Sequence, residues 1–220
     1  MTIFELTWRW MSDPEQWQGP DGIPARLIEH LWYSALALAI AAAIALPLGL
    51  FIGHTRRAAF LAVNSANAAR ALPTLGLLML VVLAAGVGLL PVLVALIALA
   101  IPPILVNTYA GIRAVDADVV DASKGVGMTG MQVLTKVEMP LAVPLILLGL
   151  RTAAIQIVST ATIAAYVSLG GLGRFIVDGL ARRDYELVAG GAVLVALLAV
   201  VTQAAFVLLQ RTTSAKVRGT

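Results

Sequence analysis

The chain has 220 residues, of which 60% are hydrophobic and 12% charged, with a formal net charge of +3. Its mean hydropathy of +0.93 means more apolar surface than a soluble domain of this length can hide, so the composition is that of a membrane protein. Without cysteine there are no disulfides or thiolate metal sites, and no basic run of the kind that binds nucleic acid is present.

The first thirty residues read as an outer, interfacial segment. Phe4, Trp8 and Met11 recur at i, i+4 and i+7, with Trp10 and Trp17 nearby, a pattern suited to the membrane–water boundary and its lipid headgroups. "MTIFELTWRW" lacks a basic start, so it does not resemble a cleavable signal. His30 and His54 stand alone in the sequence, and no His/Asp/Glu group has metal-ligand spacing, so neither a metal nor another cofactor is expected.

A membrane span needs about 20 apolar residues. The first is expected at 31–53 and tolerates Pro47. The apolar block 71–106 is too long for one span and too short for two with a turn, so a second span is placed at 58–85 and a third at 89–108, around a turn at Gly86–Pro91. The fourth is placed at 141–167 and the fifth at 187–209. The expected fold is therefore all-α, a single transmembrane domain over 1–220 with five spans. With the N-terminus outside and the C-terminus inside, the inner segments carry Arg56, Arg57, Arg113, Lys124, Lys136, Arg211, Lys216 and Arg218. The outer ones carry Arg9, Arg26, Arg174, Arg182 and Arg183, and this bias favours N-out, C-in.

Two polar stripes lie inside spans. Asn64, Asn67, Arg70 and Thr74 step by three or four residues along the second. Two readings are open: a face lining a pathway or subunit contact, or an interfacial half-helix whose arginine reaches the headgroups. On the fourth, Thr152, Gln156, Ser159 and Thr162 share a face; helix packing is favoured over solute contact, because Ser and Thr bond across helices or to their own carbonyls. Arg151, early in the same span, can reach headgroups. Between the fourth and fifth spans, "SLGGLGRFIVDGLARRDYEL" has a helix break at Gly170, Gly171 and Gly173, then an amphipathic turn from Phe175 to Leu180. It reads as an outer lid or an interfacial loop. No G-x-x-x-x-G-K-[ST] occurs anywhere in the chain, so no ATPase activity is expected of it.

The loop 113–140 is built differently. Asp116 can N-cap a short helix "ADVVDASK", ended by Gly125 and Gly127. Thr129 and Gln132 fit a capping box that opens a second helix. Leu134, Val137 and Leu141 offer an apolar stripe, and Pro140 and Pro144 start the fourth span. Such a structured knuckle is more than a connection between spans requires.

This loop resembles the EAA motif of bacterial ABC importer permeases, E-A-A-x3-G-x9-I-x-L-P. Here Asp121-Ala122-Ser123 is followed after three residues by Gly127, and after nine more by Val137, Glu138, Met139 and Pro140. The stretches 70–78, 107–129 and 151–180 are similar to the subgroup that imports glycine betaine, carnitine and choline. The small size fits the methionine-importer type of the same type I permease fold. The resemblance implies a plasma-membrane permease that works as a pair with a second copy or a paralogue. Its other implied partners are cytoplasmic ABC ATPase subunits and an extracytoplasmic substrate-binding protein. It implies that Asp121, Ala122, Ser123 and Gly127 form the turn that docks on the ATPase, with Val137 and Pro140 fixing its link to the fourth span. An amino acid such as methionine is the alternative cargo. An ion-coupled secondary carrier is disfavoured, because no Asp or Glu falls within an expected span.

Overall fold

A computed structural model of the chain describes residues 2–57, 59–60, 64 and 73–218, with side chains as far as 212. Every regular element among the described residues is helical. In chain order they are α1 (Ile3–Ser12), α2 (Ile23–Thr55), α3 (Thr74–Ala85), α4 (Leu89–Arg113), α5 (Ala117–Gly125), α6 (Gly130–Val133), α7 (Met139–Thr160), α8 (Gly173–Arg182) and α9 (Tyr185–Arg218). Short 3₁₀ segments at Pro14–Trp17 and Ala161–Val167 and a π turn at Leu134–Glu138 join them. Among the described residues, four stretches are long and apolar enough to cross a membrane: Ile23–Thr55, Leu89–Arg113, Gly130–Val167 and Tyr185–Thr212. Of the span expected at 58–85, the helix Thr74–Ala85 is described; Asn67 and Arg70 lie outside the described residues.

The contacts divide the chain into two units. One comprises Met1–Leu38, Pro73–Ile97 and Ala154–Thr202; the other comprises Ala39–Leu72, Ala98–Ala153 and Gln203–Thr220. Long helices contribute a part of their length to each.

The first unit is organised around Trp10. Its ring meets Phe175 edge-on, at 5.0 Å between centroids and 70° between planes, and Ile23 and Leu172 complete the buried cluster. Gly190 lies directly beneath Trp10, where a side chain would collide with the indole. A capping box of Thr2 and Glu5 starts α1, and Trp17 Nε1 donates to Met11 O at 2.8 Å, folding the segment back. Arg26 bridges Asp21 and Glu29, and Glu29 in turn accepts the Gly171 N–H at 2.8 Å. These pairings let α2 begin at Ile23, eight residues before the expected span. His30, fully buried, bonds Val158 O at 2.8 Å. Gly173 is the first residue of α8 and does not break a helix. The reversal falls at Ser168 and Gly171, with φ of 60° and 90°.

The second unit is held by close helix approach at glycines. A methyl group at Gly49 or Gly53 would lie 2.7 Å from Thr108 Cβ or Ile112 Cβ, so α2 meets α4 through a G-x-x-x-G pair. A methyl at Gly111 would lie 3.1 Å from Ala142 Cβ, and one at Gly149 2.8 Å from Pro103 O, so α4 meets α7 in the same way. Asn107 Nδ2 donates to Pro103 O at 2.7 Å, serving a carbonyl in the proline-interrupted part of α4. The turn between α3 and α4 runs through Gly86 and Gly88, both at positive φ, and Pro91 lies within the first turn of α4 rather than in the connection.

The glycine contacts make a direct prediction. Gly149→Ala pushes a methyl into the backbone of α4 and is expected to cost about 1–3 kcal/mol. Gly125→Ala meets open space and is expected to stay within about 0.5 kcal/mol of the native protein. Thermal unfolding of the detergent-solubilised chain, followed by tryptophan fluorescence, should show the midpoint falling several degrees for the first and not for the second.

Candidate functional site

The 113–140 loop folds as its local sequence dictates. Asp116 accepts the Asp118 N–H at 2.9 Å and caps α5. Beyond Gly125 the Val126 and Gly127 N–H groups return to the carbonyls of Ala122 and Lys124 at 3.1 and 2.9 Å. Gly127 has φ +89°, a region in which side chains with a Cβ are strained. Thr129 and Gln132 then exchange the two bonds of a capping box, at 2.8 and 3.3 Å. α5 thus starts on a single side-chain cap at Asp116 and α6 on a reciprocal capping box.

Asp121 and Ala122 are exposed, and Asp121 pairs with Lys124 at 3.6 Å on the surface, a pairing of little strength. Ser123 is half-buried and donates its hydroxyl to Val119 O at 2.7 Å, so that group serves its own helix. Gly127 is exposed with open space around its Cα. Asp121, Ala122, Ser123 and Gly127 therefore sit on one turn. Val137, half-buried, and Pro140, exposed, belong to the segment that continues into α7.

Two apolar side chains crown this turn and had no place in the sequence reading. Val126 is 82% exposed and Met131 69% exposed. The available signal was an apolar residue between two glycines, off any helical stripe. The expected stripe Leu134, Val137, Leu141 does not form. Val133, before the π turn, is buried; the π turn adds a residue to the helix and offsets the face beyond it by about 100°, and Leu141 is 48% exposed. Met139 N–H reaches back five residues to Leu134 O, and Pro140 has no N–H to continue the α pattern.

The histidines are not solitary. His54 Nδ1 and Glu138 Oε2 are 2.5 Å apart although 84 positions separate them in sequence. The Glu138 side chain is 8% exposed and that of His54 24%, so the imidazole satisfies a carboxylate that water barely reaches.

The polar stripes are placed separately. Asn64 is exposed, and Thr74 is half-buried at the start of α3. Gln156 and Ser159 are exposed on α7, whereas Ala153, Ala154, Ile157 and Val158 on its other face are buried. Thr152 donates to Leu148 O. Arg151 donates to Gln210 Oε1 on α9 at 3.0 Å. In the first unit a cleft of about 390 Å³ is bordered by Asp21, Arg26, Arg174, Asp178, Arg182 and Asp184. Its charges balance, and Arg174 pairs with Asp178 at 2.9 Å.

Long apolar helices able to cross a membrane, joined by a polar knuckle closed by helix caps, are the architecture of a membrane-embedded protein. The chain belongs to the family of binding-protein-dependent transport system inner membrane components, which matches residues 45–218. Its members are transport subunits of the bacterial inner membrane; a separate ATPase hydrolyses ATP and a substrate-binding protein acts with them. The glycine betaine/carnitine/choline permease OpuCB of Bacillus subtilis (strain 168) is 38% identical over 173 residues, spanning 79% of this chain and 80% of that one. The osmoprotectant import permease OsmW of Salmonella typhimurium is 33% identical over 178 residues, spanning 79% of this chain and 83% of that one. The fold is that of the MetNI methionine ABC transporter permease, solved in inward-facing conformations: TM-score 0.77 at 23% identity, over 92% of this chain and 99% of that one.

The capping box is open to test. Thr129→Ala removes the oxygen that receives the Gln132 N–H and should destabilise α6 by about 1 kcal/mol. Hydrogen exchange of residues 130–134 should speed up about fivefold, and Thr129→Ser should restore the native rate.

Proposed function

We propose that this chain is the permease subunit of an ATP-driven importer of small osmoprotectants, such as glycine betaine, carnitine or choline, and that the 113–140 loop is where a cytoplasmic ATPase drives it. The observation that carries this reading is the loop itself. Each of its two short helices starts on a side-chain cap, Val126 and Met131 are exposed on it, and it holds the EAA spacing from Asp121 to Pro140. The chain in which it sits is 38% identical to a glycine betaine/carnitine/choline permease.

In this reading five spans run N-out, C-in, which puts the loop in the cytoplasm. Asp121, Ala122, Ser123 and Gly127 form the docking turn; Val126 and Met131 enter an apolar cleft of the ATPase, and Asp121 meets a basic group there. Val137 and Pro140 carry the displacement into α7. Approach of the two ATPase subunits on binding ATP moves two such loops, and rocking of packed helices exchanges outward for inward access. The permease acts as a pair with a second copy or a paralogue. Exposed Gln156 and Ser159 support this, since polar side chains at membrane depth face protein or water rather than lipid. Together with Asn64, Asn67, Arg70 and Thr74 they are the candidates for the pathway or the subunit contact. Selection of the solute rests with the binding protein, and the methionine alternative has only the shared fold behind it.

Gly127→Val tests the docking turn. Holding a β-branched residue at φ +89° costs about 1–3 kcal/mol, enough for about a tenfold loss of coupled uptake. Uptake of radiolabelled glycine betaine should fall by that factor while the protein inserts normally and the ATPase stays bound. Gly127→Asn, which tolerates positive φ, should lose far less. Native uptake in the valine variant would overturn the assignment.

A further inference from the structure

We propose that His54 and Glu138 form the joint through which the 113–140 loop acts on α2, making both positioning residues for transport. This rests on the loop being the coupling element. It adds a second output: besides its covalent continuation into α7, the loop grips a helix to which it is not joined in sequence.

The geometry places one ring at both ends of the loop's second half. His54 Nδ1 is 2.5 Å from Glu138 Oε2 in the π turn. On its other side, Nε2 lies 3.4 Å from where a Cβ of Gly130 would be, at the start of α6. The residue before it, Gly53, packs on Ile112, one residue from the end of α4 and at the point where the loop begins. Adjacent residues of α2 thus touch the chain just before the loop and just where the loop closes. A force on the docking turn that displaces α6 and the π turn is thereby passed to the last turn of α2 for as long as this bond holds.

The π turn accounts for the aim of Glu138. One residue more than an α turn sits between Val133 and Met139, and Pro140 prevents the helix from closing back to the α pattern. That register buries the carboxylate. Extension of the α7 pattern would turn it by about 100°. On the α2 side, Arg56 at φ 58° ends the helix immediately beyond His54 and Thr55, so the imidazole is carried on the final, unextended turn. Stability alone does not call for an acid here, because buried ion pairs are replaceable by well-packed apolar side chains. A charge-assisted hydrogen bond differs from such packing in fixing direction as well as distance. Transmitting a displacement needs that property.

The test uses the assembled importer, permease with its ATPase and binding protein, in liposomes. It measures radiolabelled glycine betaine moved per ATP hydrolysed. His54→Ala and Glu138→Ala should each lower that ratio about tenfold, with the ATPase still bound. The pair His54→Gln with Glu138→Gln keeps a donor and an acceptor and should return the ratio to within about threefold of native. The pair His54→Phe with Glu138→Met fills the space without a hydrogen bond; it should regain the native thermal midpoint but not the ratio. A native ratio in the Phe/Met pair, or in either alanine variant, overturns the proposal and leaves simple packing. So does failure of the Gln/Gln pair to recover while inserted at native amounts. If an alanine variant does not insert, the two double variants decide alone. A cross-link from Ser123→Cys to the ATPase, formed in the otherwise native complex, reports separately on the loop. Its absence would defeat the coupling-loop reading itself, whereas its presence with an unchanged ratio defeats only the joint.

Discussion

In a hydrocarbon solvent every backbone N–H and C=O must find a partner within the protein, and most of what is seen here follows from that. The chain meets it with long helices, and within α4 Asn107 adds a side-chain hydrogen bond to the Pro103 carbonyl. Apolar side chains then contribute little to helix–helix specificity, because lipid tails satisfy them equally well. Close approach must supply it instead, and Gly49, Gly53, Gly111 and Gly149 mark where helices in the second unit come together. Besides Gln156 and Ser159 on α7, polar groups able to engage a partner lie on the loops and helix ends, where water is available. The knuckle at 113–140 is the most elaborate of these.

The two kinds of contact divide the work. Glycine contacts hold helices at short distance yet lack directional bonds, so they permit sliding and rocking of one helix on another. The His54–Glu138 bond is directional and sits at the edge of the glycine-packed region, one residue from Gly53. A packed surface that allows rotation, with a hydrogen-bonded grip at its end, suits a device that turns a push at one end into movement of helices. A uniformly hydrogen-bonded bundle would resist that movement, and a uniformly apolar one would dissipate it.

What could be read from the sequence was local. The Asp116 cap, the Thr129 and Gln132 capping box and the glycine turn each depend on residues within four positions of one another, and each forms. The motif spacing was legible for the same reason, since it records a turn. Contacts made at a distance in sequence were not legible. His54 looked solitary and Glu138 only a spacer in the motif, because nothing in a single chain links residues 84 apart. Gly49 and Gly53 were lost in an apolar run, where a small residue says nothing until its neighbour is known. Helix α2 begins eight residues before the expected span, and its first turns are held by pairings that span the sequence: Arg26 and Glu29 pair with each other, and Glu29 also holds Gly171. The apolar stripe from Leu134 to Leu141 failed because periodicity assumes one helical repeat throughout, and the π turn changes it midway.

The stiffness of the loop bears on why it is built at all. A flexible segment that ordered only on docking would lose about 1–2 kcal/mol of backbone freedom per residue fixed, and that loss would recur whenever the contact loosened and re-formed. With its caps made in advance, the loop from Asp116 to Glu138 carries that cost in folding instead. In the proposed docking on an ATPase, what remains is burial of Val126 and Met131, each contributing about 1.5–3 kcal/mol if fully covered. Such a contact is firm enough to transmit a push and weak enough to release. The exposure of two apolar side chains on an otherwise polar turn is thus the complement of its rigidity. One without the other would give a loop that either binds without moving anything or moves without being bound.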